Sequence, residues 1–371
     1  MTANLTLMEV DALTDLDGRL NLTDGHARLA LTPEQAAIVA RIPEMFAIAT
    51  RRAFPTIEEA AHTAFLGAIG QRTAPIGTGR ILSCYSSTLA TDIVARALPA
   101  GATVAVLHPT FDNIADLFQT RGLKLVPLQE EALVNQDWPG PPVSAVVITL
   151  PNNPTGMVTP EGHLRSLAEH AARHGQTVIV DASFRGQVRD AQYDTYAVLD
   201  AAGADWIIIE DTGKLWPMHE LKIGMLAYSE RTTLPIRRAF SESMLAASPV
   251  VLQLVEALAG DWADGGYERA RALVERNRDA VREAIEAVGT GLADPDSQIS
   301  VARVALPEGG PDSAQLYNDL RARGAHVLPC APFYWADPAS GLRSIRMSLA
   351  RPHEVVHAAA AALADAYSAR R

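Results

Sequence analysis

Three residues of this sequence have types and positions that could carry out chemistry together. Asp181 ends a short apolar run, Lys214 follows the next such run, and Asn153 lies in an NNPTG segment after an earlier one. A lysine amine can form a Schiff base with a carbonyl compound, and a buried carboxylate can keep a ring nitrogen protonated so that the ring accepts electrons. A lysine and an aspartate around one crevice are the groups that pyridoxal phosphate (PLP) requires.

A segment that could bind an anion precedes these residues. Residues 83–88, SCYSST, follow an apolar run and open a predicted helix. Backbone N–H groups at a helix start have no partner within the helix, and they lie at the positive end of its dipole. This hydroxyl-rich segment is therefore a candidate site for the phosphate group of the same cofactor.

The elements that must position these groups lie between about residues 80 and 230, where β-branched runs alternate with helical patterns. The runs are almost continuously apolar, which is typical of strands covered on both faces. Helical stretches such as 160–174 separate several of them, so the pattern predicts an α/β domain with a doubly wound, mostly parallel sheet. In such sheets ligands bind at the carboxyl ends of the strands. The predicted strands are 103–107, 123–128, 143–150, 177–181, 206–210 and 223–228.

The flanking regions have different patterns. Thr32 and Gln35 form a capping-box signature, which predicts the start of a helix. Further along the chain, helical patterns run from about 249 to 288. A mixture of short strands and helices follows residue 295, which is typical of a small α+β unit. We expect three parts: an N-terminal segment that covers the active site (1–42), a large PLP-binding α/β domain (43–275) and a small C-terminal α+β domain (276–371).

The composition argues against several classes of protein. The 371 residues are 48% hydrophobic, and the formal net charge is −11 at pH 7. General nucleic-acid binding is disfavoured, because phosphate contacts need a clustered positive surface. Two cysteines, Cys84 and Cys330, cannot form a secreted disulfide framework. No apolar run approaches the ~18 residues of a membrane span and no signal-peptide pattern is present, so we expect a soluble, cytoplasmic protein.

The order and spacing of these motifs resemble those of the fold-type I, class I and II aminotransferases. The aspartate stands 28 residues after Asn153, and the lysine stands 33 residues after Asp181. The resemblance implies the fold-type I PLP-dependent transferase fold with a smaller C-terminal domain. It also implies that Lys214 forms the Schiff base and transfers protons, that Asp181 pairs with the pyridinium nitrogen, and that Asn153 donates to the phenolic oxygen.

The same resemblance assigns further positions around the cofactor and the substrate. Phe111, in the HPTFDN segment, matches the aromatic residue that stacks on the ring. Arg346 matches the arginine that binds the α-carboxylate of the substrate through two parallel hydrogen bonds. The remaining cofactor contacts, mostly to the phosphate, fall on Ser86, Ser87, Ser183 and Lys222.

Three positions depart from the aminotransferase pattern. Phe184 stands where the family usually has tyrosine, so the phenolic oxygen of the cofactor loses one hydrogen-bond donor. Asp211 replaces a small hydroxyl residue, and a carboxylate is a poor phosphate ligand but a good guanidinium ligand. Lys222 replaces an arginine. These changes put plain transamination in doubt.

A second and closer resemblance accounts for the departures. Nearly the whole chain is similar to the PLP-dependent L-arginine oxidases and hydroxylases of antibiotic biosynthesis in actinomycetes. The resemblance implies that free L-arginine reacts with O2 as cosubstrate, without metal or flavin, to give 4-hydroxy-2-ketoarginine and, by a shorter path, 2-ketoarginine. The stretches that carry it are NLTLMEV (4–10), NLTDGHARLAL (21–31), SCYSST (83–88), HPTFDNIADL (108–117), TLPNNPTG (149–156), DASFRG (181–186) and IEDTGKLWP (209–217).

An arginine substrate needs carboxylates for its side chain, because guanidinium binds planar acids through two parallel hydrogen bonds. Glu9 and Asp211 are the candidates for the far end of the pocket, with Thr6 and Asp24 nearby in the same motifs. Asn153 would add a contact to the substrate, as Arg346 does.

The resemblance further implies that the N-terminal segment folds over the bound substrate. Such a lid would exclude bulk water and protect a reactive carbanion. His26 lies in this segment, and a neutral imidazole could direct or deprotonate the water molecule that attacks.

Other functions stay open at this point. An ordinary aminotransferase would need a 2-keto acid as second substrate, and an arginine 4,5-desaturase would release another product from the same scaffold. A catalytically silent protein with the PLP fold would serve only in binding or regulation. The presence of Lys214 together with Asp181 argues against this alternative. Fold-type I enzymes usually build each active site from two subunits, so the resemblance also implies a homodimer. We expect no nucleic-acid or membrane partner.

Overall fold

The computed structural model of the protein describes residues 4–13, 20–218 and 220–370. Parts of the expected N-terminal segment, residues 1–3 and 14–19, lie outside the described residues. The described helices are α1 (Leu5–Leu13), α2 (Pro33–Val39), α3 (Ile42–Ala49), α4 (Phe54–Ala68), α5 (Ser87–Ala97), α6 (Asp112–Thr120), α7 (Glu130–Asn135), α8 (Glu161–His174), α9 (Thr195–Ala201), α10 (Ile236–Ser241), α11 (Pro249–Asp261), α12 (Tyr267–Glu286), α13 (Ser313–Ala322) and α14 (His353–Ser368). The described strands are β1 (Leu20–Asn21), β2 (Ile81–Cys84), β3 (Thr103–His108), β4 (Lys124–Gln129), β5 (Val143–Thr149), β6 (Thr177–Asp181), β7 (Asp205–Asp211), β8 (Gly224–Tyr228), β9 (Val301–Ala305), β10 (Ala325–His326), β11 (Leu328–Pro329) and β12 (Ser344–Ser348).

A seven-stranded sheet in the order β2-β8-β7-β6-β5-β3-β4 forms the centre of the molecule. The strands from β3 to β7 run parallel to their neighbours, whereas β8 is antiparallel to both β7 and β2. No described helix separates β7 from β8, and a connection without a crossover favours the antiparallel direction. All six predicted strands are present, and the predicted doubly wound, mostly parallel sheet is confirmed.

The central strands are apolar on both faces, which explains their continuous runs. In β6, Val178 and Val180 pack into the core on one face, while Ile179 packs into a second core on the other face. Helices cover both faces, and α8 contributes the predicted apolar stripe of Leu164, Leu167 and Ala168. Polar residues therefore collect at the carboxyl ends of the strands rather than along them.

The C-terminal region forms a separate antiparallel sheet, β11-β12-β9, which packs with α12, α13 and α14 around a third apolar core. The predicted α+β character of this region is confirmed, and the boundaries at 43 and 276 stay a prediction. The helical pattern over 249–288 is not one helix, because a π-helical turn (Trp262–Gly266) interrupts it. Gly265 adopts φ +96° there, a conformation that glycine tolerates without strain.

The N-terminal segment joins this C-terminal region through a pairing that the sequence did not indicate. Strand β1 runs parallel to β10, with Leu20 opposite Ala325 and Asn21 opposite His326. The predicted capping box at Thr32 is confirmed, since its side chain accepts a hydrogen bond from the Gln35 backbone. Among the described residues, no helix combines the length and apolar character that crossing a bilayer requires.

Candidate active site

A cavity of about 900 Å³, including its open mouth, lies at the carboxyl ends of β6 and β7. Of the described residues that were predicted for the site, only Asp24 does not line it. The structure brings together Thr6, Glu9, His26, Ser86, Ser87, Phe111, Asn153, Asp181, Ser183, Asp211, Lys214, Lys222 and Arg346.

Two lysines on the floor of this cavity approach one imidazole of the N-terminal segment. The Nζ atoms of Lys214 and Lys222 lie 3.3 and 3.0 Å from Nε2 of His26. Burial and the charge of Lys214 lower the pKa of His26 to about 4, so its imidazole is neutral at physiological pH. Gly213 leaves room for this arrangement, because an added Cβ would lie 2.9 Å from both the His26 ring and the Lys222 side chain.

Asp24 determines how the imidazole is oriented. Its Oδ1 lies 3.0 Å from His26 Nδ1, and its Oδ2 accepts hydrogen bonds from Arg28 and Arg351. Burial alone would raise the pKa of Asp24, but the hydrogen bond with His26 and the charge of Arg351 hold it well below the usual range. An ionised Asp24 favours the tautomer with the proton on Nδ1, which leaves Nε2 as an acceptor toward the lysines. Asp24 therefore acts on the cavity through His26, and this arrangement does not support its predicted direct contact with substrate.

Asp211 is a buried carboxylate on the wall formed by β7 and α5. It accepts hydrogen bonds from the Ser87 hydroxyl at 2.7 Å and from the Gly213 backbone at 2.6 Å. Burial would raise its pKa, yet the charges of Lys214 and Lys222, together with the hydrogen bond from Ser87, hold the pKa below its usual value. Asp211 is therefore ionised within the cavity and available to a cationic ligand.

The start of α5 has the predicted form of a phosphate cup. Ser86 caps the helix, since its hydroxyl accepts a hydrogen bond from the Leu89 backbone at 3.1 Å. The cup packs directly on β8, where a Cβ added to Gly224 would lie 2.5 Å from the Ser86 carbonyl carbon. In this structure the Ser87 hydroxyl donates to Asp211, so the remaining donors toward an anion are the helix N–H groups and Lys222.

Asp181 lies at the carboxyl end of β6. Burial raises the pKa of this carboxyl, and hydrogen bonds from the Ser183 hydroxyl and backbone oppose the rise. A carboxylate in this setting is a good partner for a ring nitrogen that carries a proton. Phe184 places its ring edge against the N-terminal segment, because a Cβ added to Gly25 would lie 2.9 Å from its Cζ.

Arg346, on β12, has the features expected of a carboxylate-binding arginine. Its side chain is fully buried, and its Nη groups donate to Asn153 Oδ1 at 3.2 Å and to the Thr23 carbonyl. Its Nε has no hydrogen-bond partner among the described residues. A buried guanidinium with an unused N–H is suited to bind a further carboxylate. Because the Asn153 oxygen is used in this way, its amide nitrogen is the group that would donate to the cofactor.

Glu9 lies beside Arg346 within the cavity. The distance from its Oε1 to Arg346 Nη2 is 3.5 Å. Burial raises the pKa of Glu9 to about 7, although the charges of Arg346 and Lys214 oppose the rise. The contacts of Glu9 and Asp211 with a guanidinium group stay a prediction.

Sequence reasoning missed a buried ion pair behind the site. Arg185 and Glu210 are 0% and 1% exposed and lie 3.1 Å apart. Arg185 also donates to the Ala191 carbonyl and the Thr195 hydroxyl, so it ties the loop after Asp181 to β7. The only sign of this pair in the sequence is that Arg185 and Glu210 each stand next to apolar residues, in the DASFRG and IEDTGK segments.

The residues present fit PLP. Lys222 and a helix N-terminus are a donor set for a phosphate dianion, and Lys214 offers an amine for a Schiff base. Asp181 suits the ring nitrogen, and Asn153 has an amide left for the phenolic oxygen. When bound, PLP supplies a ring that accepts electrons from a substrate carbon. Phe111 lines the same cavity and directly precedes α6.

Comparisons with known proteins agree with this geometry. A sequence profile of the family described as aminotransferase class I and II matches residues 21–363. The chain is 41% identical to MppP in a structure soaked with the product 2-ketoarginine, with a TM-score of 0.90 and coverage of 94% of this chain and 99% of that one.

Other relatives are more distant. The LL-diaminopimelate aminotransferase of Dehalococcoides mccartyi is 28% identical over 59% of this chain, and the match spans 55% of that enzyme. Aromatic aminotransferase ISS1 of Arabidopsis thaliana is 26% identical over 70% of this chain and 69% of its own length. Aspartate aminotransferase from Thermus thermophilus with maleate shares the fold, with a TM-score of 0.81 at 19% identity over 99% of this chain and 97% of that one. The chain thus has the fold-type I fold and belongs to the aminotransferase class I and II family of PLP-dependent enzymes.

Proposed function

We propose that this enzyme is an O2-consuming oxidase and hydroxylase of free L-arginine that forms 4-hydroxy-2-ketoarginine and 2-ketoarginine. The observation that carries the proposal is a single cavity that combines Lys214 with an unsatisfied guanidinium and two carboxylates, those of Glu9 and Asp211. An arginine substrate offers a carboxylate to Arg346 and a cation to the two acids. The similarity to MppP, whose structure was soaked with 2-ketoarginine, supports the same substrate class.

The residues of the chain have separate tasks in this proposal. Arg346 and Asn153 bind the α-carboxylate end of the substrate, and Asp211 and Glu9 bind the guanidinium. Lys214 Nζ removes and returns protons, and its neighbour His26 Nε2 is a neutral acceptor at 3.3 Å. His26 can therefore take a proton from a water molecule that adds at C4 of the substrate. The N-terminal segment covers the cavity and excludes bulk water from these steps.

The test is an oxygen-electrode assay of the PLP-loaded protein with L-arginine and no keto acid. We expect O2 uptake, and in isotopically labelled water we expect the label in the hydroxyl group of the product, measured by mass spectrometry. Turnover that requires a 2-keto acid and leaves O2 unchanged would contradict the proposal.

Transamination is the second candidate, because the curated relatives are aminotransferases. Phe184 and Asp211 argue against it, since both remove groups that the aminotransferase pattern uses to hold the cofactor. The same assay distinguishes the two reactions, and its product analysis would also reveal 4,5-desaturation. A cytoplasmic homodimer remains part of this proposal.

A further inference from the structure

We propose that Asp112 is the positioning residue that holds helix α1 over the substrate cavity by accepting a hydrogen bond from the first N–H group of that helix. Its Oδ2 accepts a hydrogen bond of 2.8 Å from the backbone N–H of Leu5, the first residue of α1. Asp112 is itself the first residue of α6, and its Oδ1 has no hydrogen-bond partner among the described residues. A carboxylate at the start of α6 therefore pairs with the N-terminus of α1.

This arrangement is stabilising for a physical reason. The first N–H groups of a helix have no partner within it, and a negative charge near them is favourable. Asp112 is only 4% exposed, so water is a poor substitute for its carboxylate at the start of α1. Loss of the carboxylate would leave the first N–H of α1 buried and unpaired, since Leu5 is 0% exposed.

The first turn of α1 is also its apolar anchor. Leu5 packs into a small cluster with Leu328, Cys330 and Phe333. The outer side of the helix makes little contact, since Leu7 is 50% and Val10 is 49% exposed. The start of α1 is therefore held by the Asp112 hydrogen bond and the Leu5 side chain together. Its later turns are held by Glu9 near Arg346 and by the buried Ala12, whose carbonyl accepts a hydrogen bond from Asn21.

The consequence reaches the chemistry through two neighbours. Thr6 follows Leu5 directly, Glu9 lies one turn further, and both line the cavity. Phe111 immediately precedes Asp112 and lines the same cavity. Asp112 thus fixes the position of α1, the helix that covers the substrate, relative to Phe111, the aromatic residue expected to contact the cofactor ring. The kinetic part of this inference rests on the proposed function, whereas the placement of α1 does not.

The first experiment compares Leu5→Pro with Leu5→Val in the full-length, PLP-loaded protein without arginine. Both variants shorten the side chain, but only proline removes the N–H that donates to Asp112, and proline is otherwise favoured at a first helical position. We expect hydrogen exchange over residues 6–13 to be about tenfold faster in Leu5→Pro than in Leu5→Val, the size of one lost helix cap. Equal exchange in the two variants would overturn the proposal.

The second experiment changes the acceptor. Asp112→Ala removes it, Asp112→Asn keeps an acceptor oxygen without the charge, and Asp92→Asn is the control, because Asp92 pairs with Arg121 at the other end of α6. We expect faster exchange over 6–13 and a KM for L-arginine about tenfold higher in Asp112→Ala, partial rescue in Asp112→Asn, and a smaller effect on kcat. Unchanged exchange in both Asp112 variants would overturn the inference. If the wild-type protein does not turn over L-arginine, the proposed function is refuted instead. The hydrogen-exchange measurements would still decide the role of Asp112.

Discussion

The two sides of the cavity are built differently. On the floor, Asp181 and Asp211 end buried strands, and the Lys214 carbonyl accepts a hydrogen bond from the Gln187 side chain, which also donates to Ser300. On the covering side, Glu9 and His26 belong to a segment without a core of its own, and side chains from elsewhere hold them in place. Asp181 and Lys214 on the floor are the groups expected for PLP in this fold, whereas the cover, together with Asp211, has the groups that would adapt the site to a cationic substrate.

The difference extends to the charge states. Asp211 on the floor stays ionised because the lysines lower its pKa. Glu9 on the cover has a pKa raised to about 7, and that of His26 is lowered to about 4. His26 is thus neutral at pH 7 in the absence of substrate, whereas Glu9 is about half protonated, so a charged substrate can change the ionisation of Glu9. Substitutions on the floor and on the cover of the cavity should therefore impair the reaction in different ways.

Removal of the Lys214 amine, on the floor of the cavity, should have the largest effect on activity. Lys214→Ala removes the amine expected to hold the cofactor and move protons, so we expect O2 uptake with L-arginine to fall by about 10³-fold or more. Lys124→Ala, on the exposed strand β4, is the matched control and should keep its activity. A Lys214→Ala protein that still turned over arginine would exclude the assigned role.

Loss of the imidazole should change the product rather than the substrate. We expect His26→Gln to lower 4-hydroxy-2-ketoarginine formation by about 10²-fold and to raise the share of 2-ketoarginine. Asp24→Asn should shift the ratio in the same direction, because Asp24 holds the proton on Nδ1, and the double variant should be less than additive. Chromatography with mass detection measures the ratio, and the exposed His174→Gln is the control. An unchanged ratio in His26→Gln would exclude a role in hydration.

Restoring the tyrosine of the aminotransferase pattern should disturb the cover. In Phe184→Tyr the new hydroxyl extends from Cζ, which already lies against Gly25. Overpacking of this kind typically costs about 1–3 kcal/mol, so we expect KM for L-arginine to rise about tenfold. Phe46→Tyr, on an exposed side chain, should have no effect. If Phe184→Tyr kept its KM and gained transaminase activity, the hydroxyl would act on the cofactor alone.

The smallest expected effect is the release of a proton when L-arginine binds. Because the pKa of Glu9 is raised to about 7, this carboxyl is mostly protonated at pH 6 in the free enzyme. A bound guanidinium would lower that pKa, so arginine binding should release up to about one proton at pH 6, and affinity should rise with pH toward 7. Calorimetry in two buffers of different ionisation enthalpy measures the release. Glu9→Gln should abolish it, and equal release by this variant would contradict the assignment.

The sequence predicted the floor better than the cover, for a physical reason. Asp181, Lys214 and the NNPTG segment follow apolar strands, and strands of one sheet bring their ends together whatever the details of the loops. The contact of Asp24 with Arg351 joins residues far apart in the chain, and it has no periodicity that a sequence pattern could reveal. The proximity of Glu9 to Arg346 could not be predicted for the same reason, since it depends on where Asp112 and the Leu5 cluster hold α1.

The short pairing of β1 with β10 has a mechanical consequence. The chain that leads to His26 is joined to the C-terminal region by backbone contacts of Leu22 with His326 and Ser348, and by the Arg351 side chain on the Asn21 carbonyl. Arg346 lies on the same C-terminal sheet. Any rotation of that region relative to the large sheet would carry both side chains with it and would separate the imidazole from the two amines in one movement. Proton transfer between them therefore requires the relative placement seen in this structure.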